Sequence, residues 1–309
     1  MRLIQPCRHM IQNSTTRTRR IQGASFMVLA GITFAFINAI TFVITAQLGL
    51  KPQSDTFWQY GIALVISLPF LLRQGFSSLK SHHPVAHTVR VAVSALGLLA
   101  FTTAIAKGVP VWQVVALTMT APMFVLLGAA AFLRETVPAS RWLAAVVGFL
   151  GASIVTNPWS EQFTLAWLLP VAAAVLWGAA SLLTKYLTRD ESPESLTVWL
   201  LLLLTPVNAL LSLGAGFELP SPHVFMWLLA GGALVCIAQY LMSRSYAAAE
   251  ANFVQPFDDL KLISNVLVYG LLFGYWPSGL IWLGLAMIMA ASAYLMWRGS
   301  TSQPLTSAA

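Results

Sequence analysis

LTVWLLLLLTPVNALLSLG, residues Leu196–Gly214, runs for nineteen positions without a charged side chain. After a nine-residue joint that includes Pro220-Ser221-Pro222, VFMWLLAGGALVCIAQYLMS follows at Val224–Ser243, again uncharged. A hydrocarbon core of about 30 Å takes about 20 helical residues per crossing. Backbone in lipid must satisfy its own hydrogen bonds, so stretches of this kind are helices. Read outward from this pair, the same pattern recurs at 25–46, 56–72, 89–106, 112–133, 141–157, 165–184, 253–273 and 278–297, which makes ten spans in all. The joints carry breakers such as Lys51-Pro52, Val109-Pro110, Asn157-Pro158, Ser192-Pro193 and Trp276-Pro277. They leave no room for a soluble catalytic domain.

Composition agrees. The chain has 309 residues, 58% hydrophobic and only 9% charged, against about 25% charged in a soluble domain. With a mean hydropathy of +0.75, a soluble globular protein is excluded. A net charge of +7 in a soluble chain would suggest nucleic acid. Here the basic residues sit at helix ends and orient the chain, so no nucleic-acid partner is expected. Cys7 and Cys236 are too far apart in sequence to frame a metal site or a disulfide scaffold. The leader holds Arg2, Arg8, Arg17, Arg19 and Arg20 and no acid. It reads as a cytoplasmic tail that anchors topology, with an organelle transit peptide as the alternative.

Counting Lys and Arg over alternate joints fixes the expected orientation. The side shared by both termini collects the five leader arginines, Arg73, Lys80, Arg90, Arg134, Arg141, Lys185, Arg189, Arg244 and Arg298; the other side gets Lys51 and Lys107. Fourteen against two places both termini in the cytoplasm. The chain also looks duplicated: Phe34 in the first span and Trp177 in the sixth occupy similar places in small-residue-rich helices. With five spans per half, the second half must run through the membrane upside down. The expected fold is therefore all-α and integral to the membrane, ten transmembrane helices in two inverted five-helix repeats. The expected division is a tail over 1–24, repeats over 25–157 and 165–297, and a tail over 298–309.

Span nine carries the most informative polar pattern. At 100° per residue, Asp258, Lys261, Asn265 and Tyr269 fall within an arc of about 80° on an otherwise apolar helix. Charged groups at the bilayer centre cost about 2.5–3.5 kcal/mol each on insertion scales, so they face the bundle interior or water. A second reading stays open: Pro256 starts the helix, and Asp258 and Asp259 are first-turn acids at its positive end. In the first span Phe34, Asn38, Thr41 and Thr45 share a face, suited to a polar organic ligand or to helix–helix contact. Gln239, Ser243 and Tyr246 form a similar stripe in span eight, with Arg244 beside it as a gate or an interfacial snorkelling group. Gln113, Thr120 and Phe124 align in span four beside Pro122, a kink that serves as a hinge or only as packing. Glu135, between Arg134 and Arg141, reads as a salt-bridged turn or as a gate. His82, His83 and His87 read as a solvated loop unless a further ligand completes a metal site. Most tryptophans lie near span ends, as an aromatic belt.

Thr120-Ala121-Pro122-Met123-Phe124-Val125-Leu126-Leu127, followed by Leu133-Arg134-Glu135 and Arg141-Trp142-Leu143, resembles the end of an EamA repeat. Arg244-Ser245-Tyr246 and Gln255-Pro256-Phe257-Asp258-Asp259-Leu260-Lys261 resemble a segment of one subgroup of the drug/metabolite transporter superfamily. That subgroup includes transporters of S-adenosylmethionine, riboflavin and other small metabolites. The chain departs from it by carrying Asn38, Phe42, Gln59 and Tyr275 where relatives often carry charged residues, which implies a less charged pocket. The resemblance implies a secondary transporter in a bacterial inner membrane that works by alternating access around a midplane cavity. Export of a small organic metabolite is the favoured direction, with uptake of S-adenosylmethionine, riboflavin or a similar compound as the alternative. The expected partners are that metabolite, the lipid bilayer and a coupling proton or ion, with the chain a monomer or homodimer.

No P-loop, HExxH or Ser-x-x-Lys motif appears, so no cofactor is expected. An intramembrane enzyme would need a nucleophile–base set or a metal cluster within the spans. A scaffold would show no continuous internal polar stripe.

Overall fold

In the computed structural model, residues 5–74, 81, 83–107, 109, 114, 117–132, 137–156, 164–258, 260–274, 276 and 279–301 are described. Among them there is no strand. The helices are α1 (Gln5–Phe42), α2 (Pro52–Gln74), α3 (Pro84–Ala106), α4 (Ala121–Ala131), α5 (Ala139–Thr156), α6 (Leu169–Leu187), α7 (Pro193–Gly214), α8 (Pro222–Ala248), α9 (Ala251–Asp258), α10 (Lys261–Phe273) and α11 (Ile281–Thr301). They trace the ten expected spans, the ninth being split into α9 and α10. Five candidate spans among the described residues are long and apolar enough to cross a membrane, and shorter apolar helices accompany them. The polar leader is helical from Gln5 onward and continuous with the first span.

The starts of α7 and α8 follow simple capping chemistry. Ser192 and Ser221 accept from the backbone N–H of Ser195 and Val224, and Pro193 and Pro222 fill a first-turn position where no N–H is needed. At its far end α1 widens into a π-helical turn over Val43–Gln47, a distortion that is frequent at functional sites.

The bundle is built inside out relative to a soluble protein. Phe132, Leu165, Leu210, Leu271 and Leu280 are largely exposed, while Asp55, Gln59, His87, Arg90, Thr118 and Gln239 are buried. An apolar exterior and a polar interior are what a lipid solvent selects.

The principal helix contacts pair up across the two halves. α1 packs on α8 as α6 packs on α3; α1 meets α9 and α10 as α6 meets α4; α2 meets α8 as α7 meets α3. α2 with α7, α4 with α9, and α5 with α11 are their own counterparts. Exchanging the two halves maps these pairs onto one another, as a pseudo-two-fold does. An odd number of spans per half makes the two repeats inverted.

Two spans depart from the continuous helices expected of them, and they are counterparts. In span four a turn at Met119-Thr120 precedes α4, so Pro122 lies in the first turn of a helix and not inside one. The Thr120 hydroxyl donates to the Leu117 carbonyl at 2.7 Å there. In span nine Pro256 is the sixth residue of the eight-residue α9, so it does not start the helix, and Asp258 is its last residue. The first-turn reading of Asp258 is thereby overturned. Proline removes one backbone donor and crowds the preceding turn; the chain then turns, Leu260 N–H bonding to Phe257 O at 3.3 Å, before α10 begins. Asp259, Glu135 and Gln113 lie outside the described residues.

Candidate functional site

Broken helices in corresponding spans of two inverted halves mark the place where such bundles bind substrate. Between the halves lies a cavity of about 360 Å³, at the small end of the roughly 300–1,000 Å³ typical of ligand pockets. Thr118, Met119 and Ala121 reach it from the break in span four, and Asp258 and Lys261 from the break in span nine.

The remaining lining divides by chemistry. Phe34, Tyr60, Phe101 and Trp177 supply aromatic surface. Asn38, Gln59, Gln239, Gln255 and Asn265 supply amides; Thr41, Thr56, Ser94, Ser181 and Thr184 supply hydroxyls. Asp55 and Arg90 complete the charged groups. The first helix of each repeat lends equivalent positions, 143 residues apart: Phe34 and Trp177, Ile37 and Ala180, Asn38 and Ser181, Thr41 and Thr184. Helical spacing puts each set on one face, and the pseudo-two-fold turns both faces inward.

Trp177 owes its position to a missing side chain. A Cβ on Gly97 would sit 2.6 Å from the indole Nε1, so only glycine lets the ring lie against α3. The indole N–H donates to Ser94 O at 3.3 Å, and its ring lies 5.5 Å from that of Phe101.

Lys261 Nζ donates to Asp258 Oδ2 at 2.6 Å across the break. Both side chains are mostly buried, 26% and 14% exposed, so the two charges largely cancel within the cavity wall. Asn265 donates to Lys261 O at 2.7 Å and accepts from Asn38 at 2.9 Å, tying α10 to α1. Tyr269 takes a different place from its neighbours on the stripe. Its hydroxyl donates to Asn38 O at 2.9 Å and its ring packs on Phe42 and Phe273, outside the cavity lining. Thr41 accepts from Gln59 at 2.9 Å.

Of the span-eight stripe, Gln239 lines the cavity, while Tyr246 is buried beneath it, donating to Gln255 at 2.7 Å. Ser243 meets Thr197 at 3.4 Å. Arg244 lies away from the cavity, 4.0 Å from Glu194 and over the rings of Phe26 and Tyr240.

His87 departs from the solvated loop expected of it and lies in the first turn of α3. His87 is fully buried, stacked on Trp199 at 5.1 Å, and its Nε2 meets Glu191 at 2.7 Å. His83 meets Asp190 at 2.9 Å, so the joint before α3 is bolted to the joint between α6 and α7. Short-range polarity suggested exposure; burial came from a partner about a hundred residues away. His82 lies outside the described residues, and among those described no group of three ligating side chains could hold a metal.

Sequence reasoning passed over Asp55, Arg90 and Gln255 as cavity residues. Asp55 and Arg90 sit near helix starts, where charge usually signals an interface. The burial of Arg90 involves a neighbour from the other repeat: its guanidinium donates to Leu196 O at 2.7 Å.

Comparison with known proteins places this geometry. The chain is 50% identical over 279 residues to a riboflavin transporter of Rhizobium johnstonii, covering 90% of this chain and 92% of that protein. It is 40% identical to a riboflavin transporter of Vibrio cholerae, covering 92% and 96%, and 24% identical to an S-adenosylmethionine uptake transporter of Rickettsia conorii, covering 82% and 87%. One solved crystal structure, 17% identical, superposes with a TM-score of 0.72 over 91% of this chain and 97% of that one, a likeness of fold alone. The model of the EamA-like transporter family matches twice, over residues 25–157 and 164–297. With both repeats matched, the chain belongs to the EamA-like transporter family: it is a multi-pass membrane transporter of small metabolites and not an enzyme.

Proposed function

We propose that this protein carries riboflavin, or a compound of the same flat heteroaromatic kind, across the bacterial inner membrane by alternating access, in the direction of uptake. The similarity to proteins named riboflavin transporters, at 50%, 40% and 43% identity over about nine-tenths of the chain, carries the reading. Proteins named for S-adenosylmethionine uptake, at 22–24% identity, support the inward direction. The cavity chemistry supports the substrate. Riboflavin is an uncharged flat ring system with hydrogen-bonding edges and a hydroxylated chain. Aromatic faces at Trp177, Phe101 and Phe34, amides at Asn38, Gln239 and Asn265, and an internally neutralised Asp258–Lys261 pair suit such a molecule.

A riboflavin-requiring bacterium without its own transporter provides the test. Expression of this chain is expected to restore growth on low external riboflavin, and labelled riboflavin is expected to enter the cells. Trp177→Ala should raise the half-saturation concentration about two- to ten-fold, from the loss of stacking worth about 0.5–1.5 kcal/mol. Outflow of label without uptake would reverse the direction, and movement of neither would sink the substrate.

The orientation proposed with it has both termini in the cytoplasm. Glu218, in the joint between α7 and α8, is then on the opposite side, its carboxyl held below the usual range chiefly by the Lys51 backbone N–H and by the Lys51 side chain. A reporter fused after Ala309 should read as cytoplasmic and one inserted near Glu218 as periplasmic. The same answer from both would break the inverted arrangement.

A further inference from the structure

Every acid in the cavity wall but one has a cation beside it. Asp258 is neutralised by Lys261. Asp55 lines the same cavity, is 1% exposed, and has no Lys, Arg or His nitrogen within ion-pairing distance among the described residues. Its side-chain hydrogen-bond partner is neutral: Gln59 Nε2 donates to it at 2.7 Å. We propose that Asp55 is the proton-carrying group that couples transport to a proton gradient.

The charged and titratable groups around it are all committed elsewhere. One turn earlier, just before α2, Lys51 is held by Glu218 at 3.2 Å and by Gly216 O at 3.1 Å. On α3, Arg90 donates to Leu196 O. On α9 and α10, Asp258 and Lys261 are bonded to each other. On α8, Tyr240 donates to Glu194 of α7, Arg244 leans on Tyr240, and Cys236 packs among apolar side chains. Tyr60, on α2 itself, packs against apolar clusters. A buried carboxylate with no counter-charge is expensive, and protonation removes the expense. The positive end of α2 acts the other way, favouring the anion. Opposed in this manner, the two effects make Asp55 a group that exchanges its proton and not one locked in either form.

The step is simple. From the side of higher proton concentration, water delivers a proton and an O–H bond forms on the Asp55 carboxyl. When the cavity turns to the other side that bond breaks and the proton leaves to water there. No other reactant is needed. The fold also links this event to helix packing. Gln59 spans Asp55 and Thr41, and its side-chain oxygen lies 2.8 Å from where a Cβ on Gly231 would stand. The ionised acid accepts from this amide. Once protonated it also carries an O–H donor, which calls for an acceptor beside the amide wedged between α1, α2 and α8, while its other oxygen can still accept.

The inference rests on the transporter reading above, and the test separates the two. The full chain is reconstituted in phosphatidylethanolamine–phosphatidylglycerol vesicles with riboflavin as the probe. With one inward pH unit and no membrane potential, coupling of one proton allows about ten-fold accumulation relative to vesicles without the gradient. In Asp55→Asn that ratio is expected to fall to about one, whatever the absolute rate, and Asp55→Glu is expected to recover part of it. A wild-type ratio of one, or an undiminished ratio in Asp55→Asn, overturns the proposal and leaves riboflavin transport standing.

Infrared titration of the same vesicles without substrate gives a second readout. The wild type should show the carbonyl stretch of a buried protonated carboxyl that vanishes in Asp55→Asn and moves in Asp55→Glu. If riboflavin does not move at all, the substrate reading falls and this band still decides. A band unchanged in both variants overturns the role of Asp55, and the Asp55→Glu protein decides if Asp55→Asn does not fold.

Discussion

Lys261→Ala is expected to abolish transport while the protein still inserts in the membrane. Lys261 Nζ stands 2.6 Å from Asp258 Oδ2, and the acid is 14% exposed. Removing one partner of a buried pair leaves an uncompensated charge, which costs about 3–5 kcal/mol. Alanine also leaves the backbone in place, and the backbone matters: a Cβ on Gly31 would lie 3.1 Å from Lys261 Cβ and 3.4 Å from its Cα, so α1 is seated directly on the start of α10. The loss therefore falls on the charge and not on the packing. Uptake assays with surface-expression controls measure it. Adding Asp258→Asn to Lys261→Ala should recover thermal stability, because the stranded carboxylate is gone, while transport stays low. Full activity in Lys261→Ala would mean that the pair is structural decoration at a helix break.

Glu191→Ala is expected to lower stability and transport together. Its side chain is 5% exposed and meets His87 at 2.7 Å and Ser195 at 3.3 Å, and it also accepts from Ser81. The alanine change leaves a buried imidazole without its acceptor, and buried groups left unsatisfied cost about 1–3 kcal/mol each. It unbolts the start of α3 from the joint between α6 and α7. This is a contact between repeats, so both melting temperature and transport should drop. Glu191→Gln keeps one acceptor oxygen and should fall between the two. Thermal unfolding in detergent, with an equal melting point for Glu191→Ala and wild type, would contradict the bolt.

The second of these residues shows where sequence reading reaches its limit. Glu191 sits in a short polar joint and His87 just past one, in the first turn of α3, and local polarity describes such places as solvated. Their burial is created by a neighbour 104 positions away, and no periodicity encodes that separation. The polar stripe on span nine was legible because it is local: Asp258, Lys261 and Asn265 are spaced on one helical face. Even there the sequence reading treated the helix as continuous. The turn after Pro256 moves Asp258 to the end of one helix and Lys261 to the start of the next, and Tyr269 turns away to bond Asn38 O.

What the sequence determined by itself was set by solvent. Long uncharged runs in lipid have only the helix as a way to satisfy their backbone, so the all-helical, many-span character followed from composition and spacing. The five-plus-five division and the family resemblance followed from order along the chain. What only the tertiary structure decided is which polar groups face each other. The register of α1 against α10, the meeting of Phe34 and Trp177 in one cavity, and the separation of Asp55 from every cation among the described residues all depend on distances between residues far apart in the chain. A charge in a membrane protein is costly or cheap according to its nearest partner, and that partner is chosen by the packing of helices.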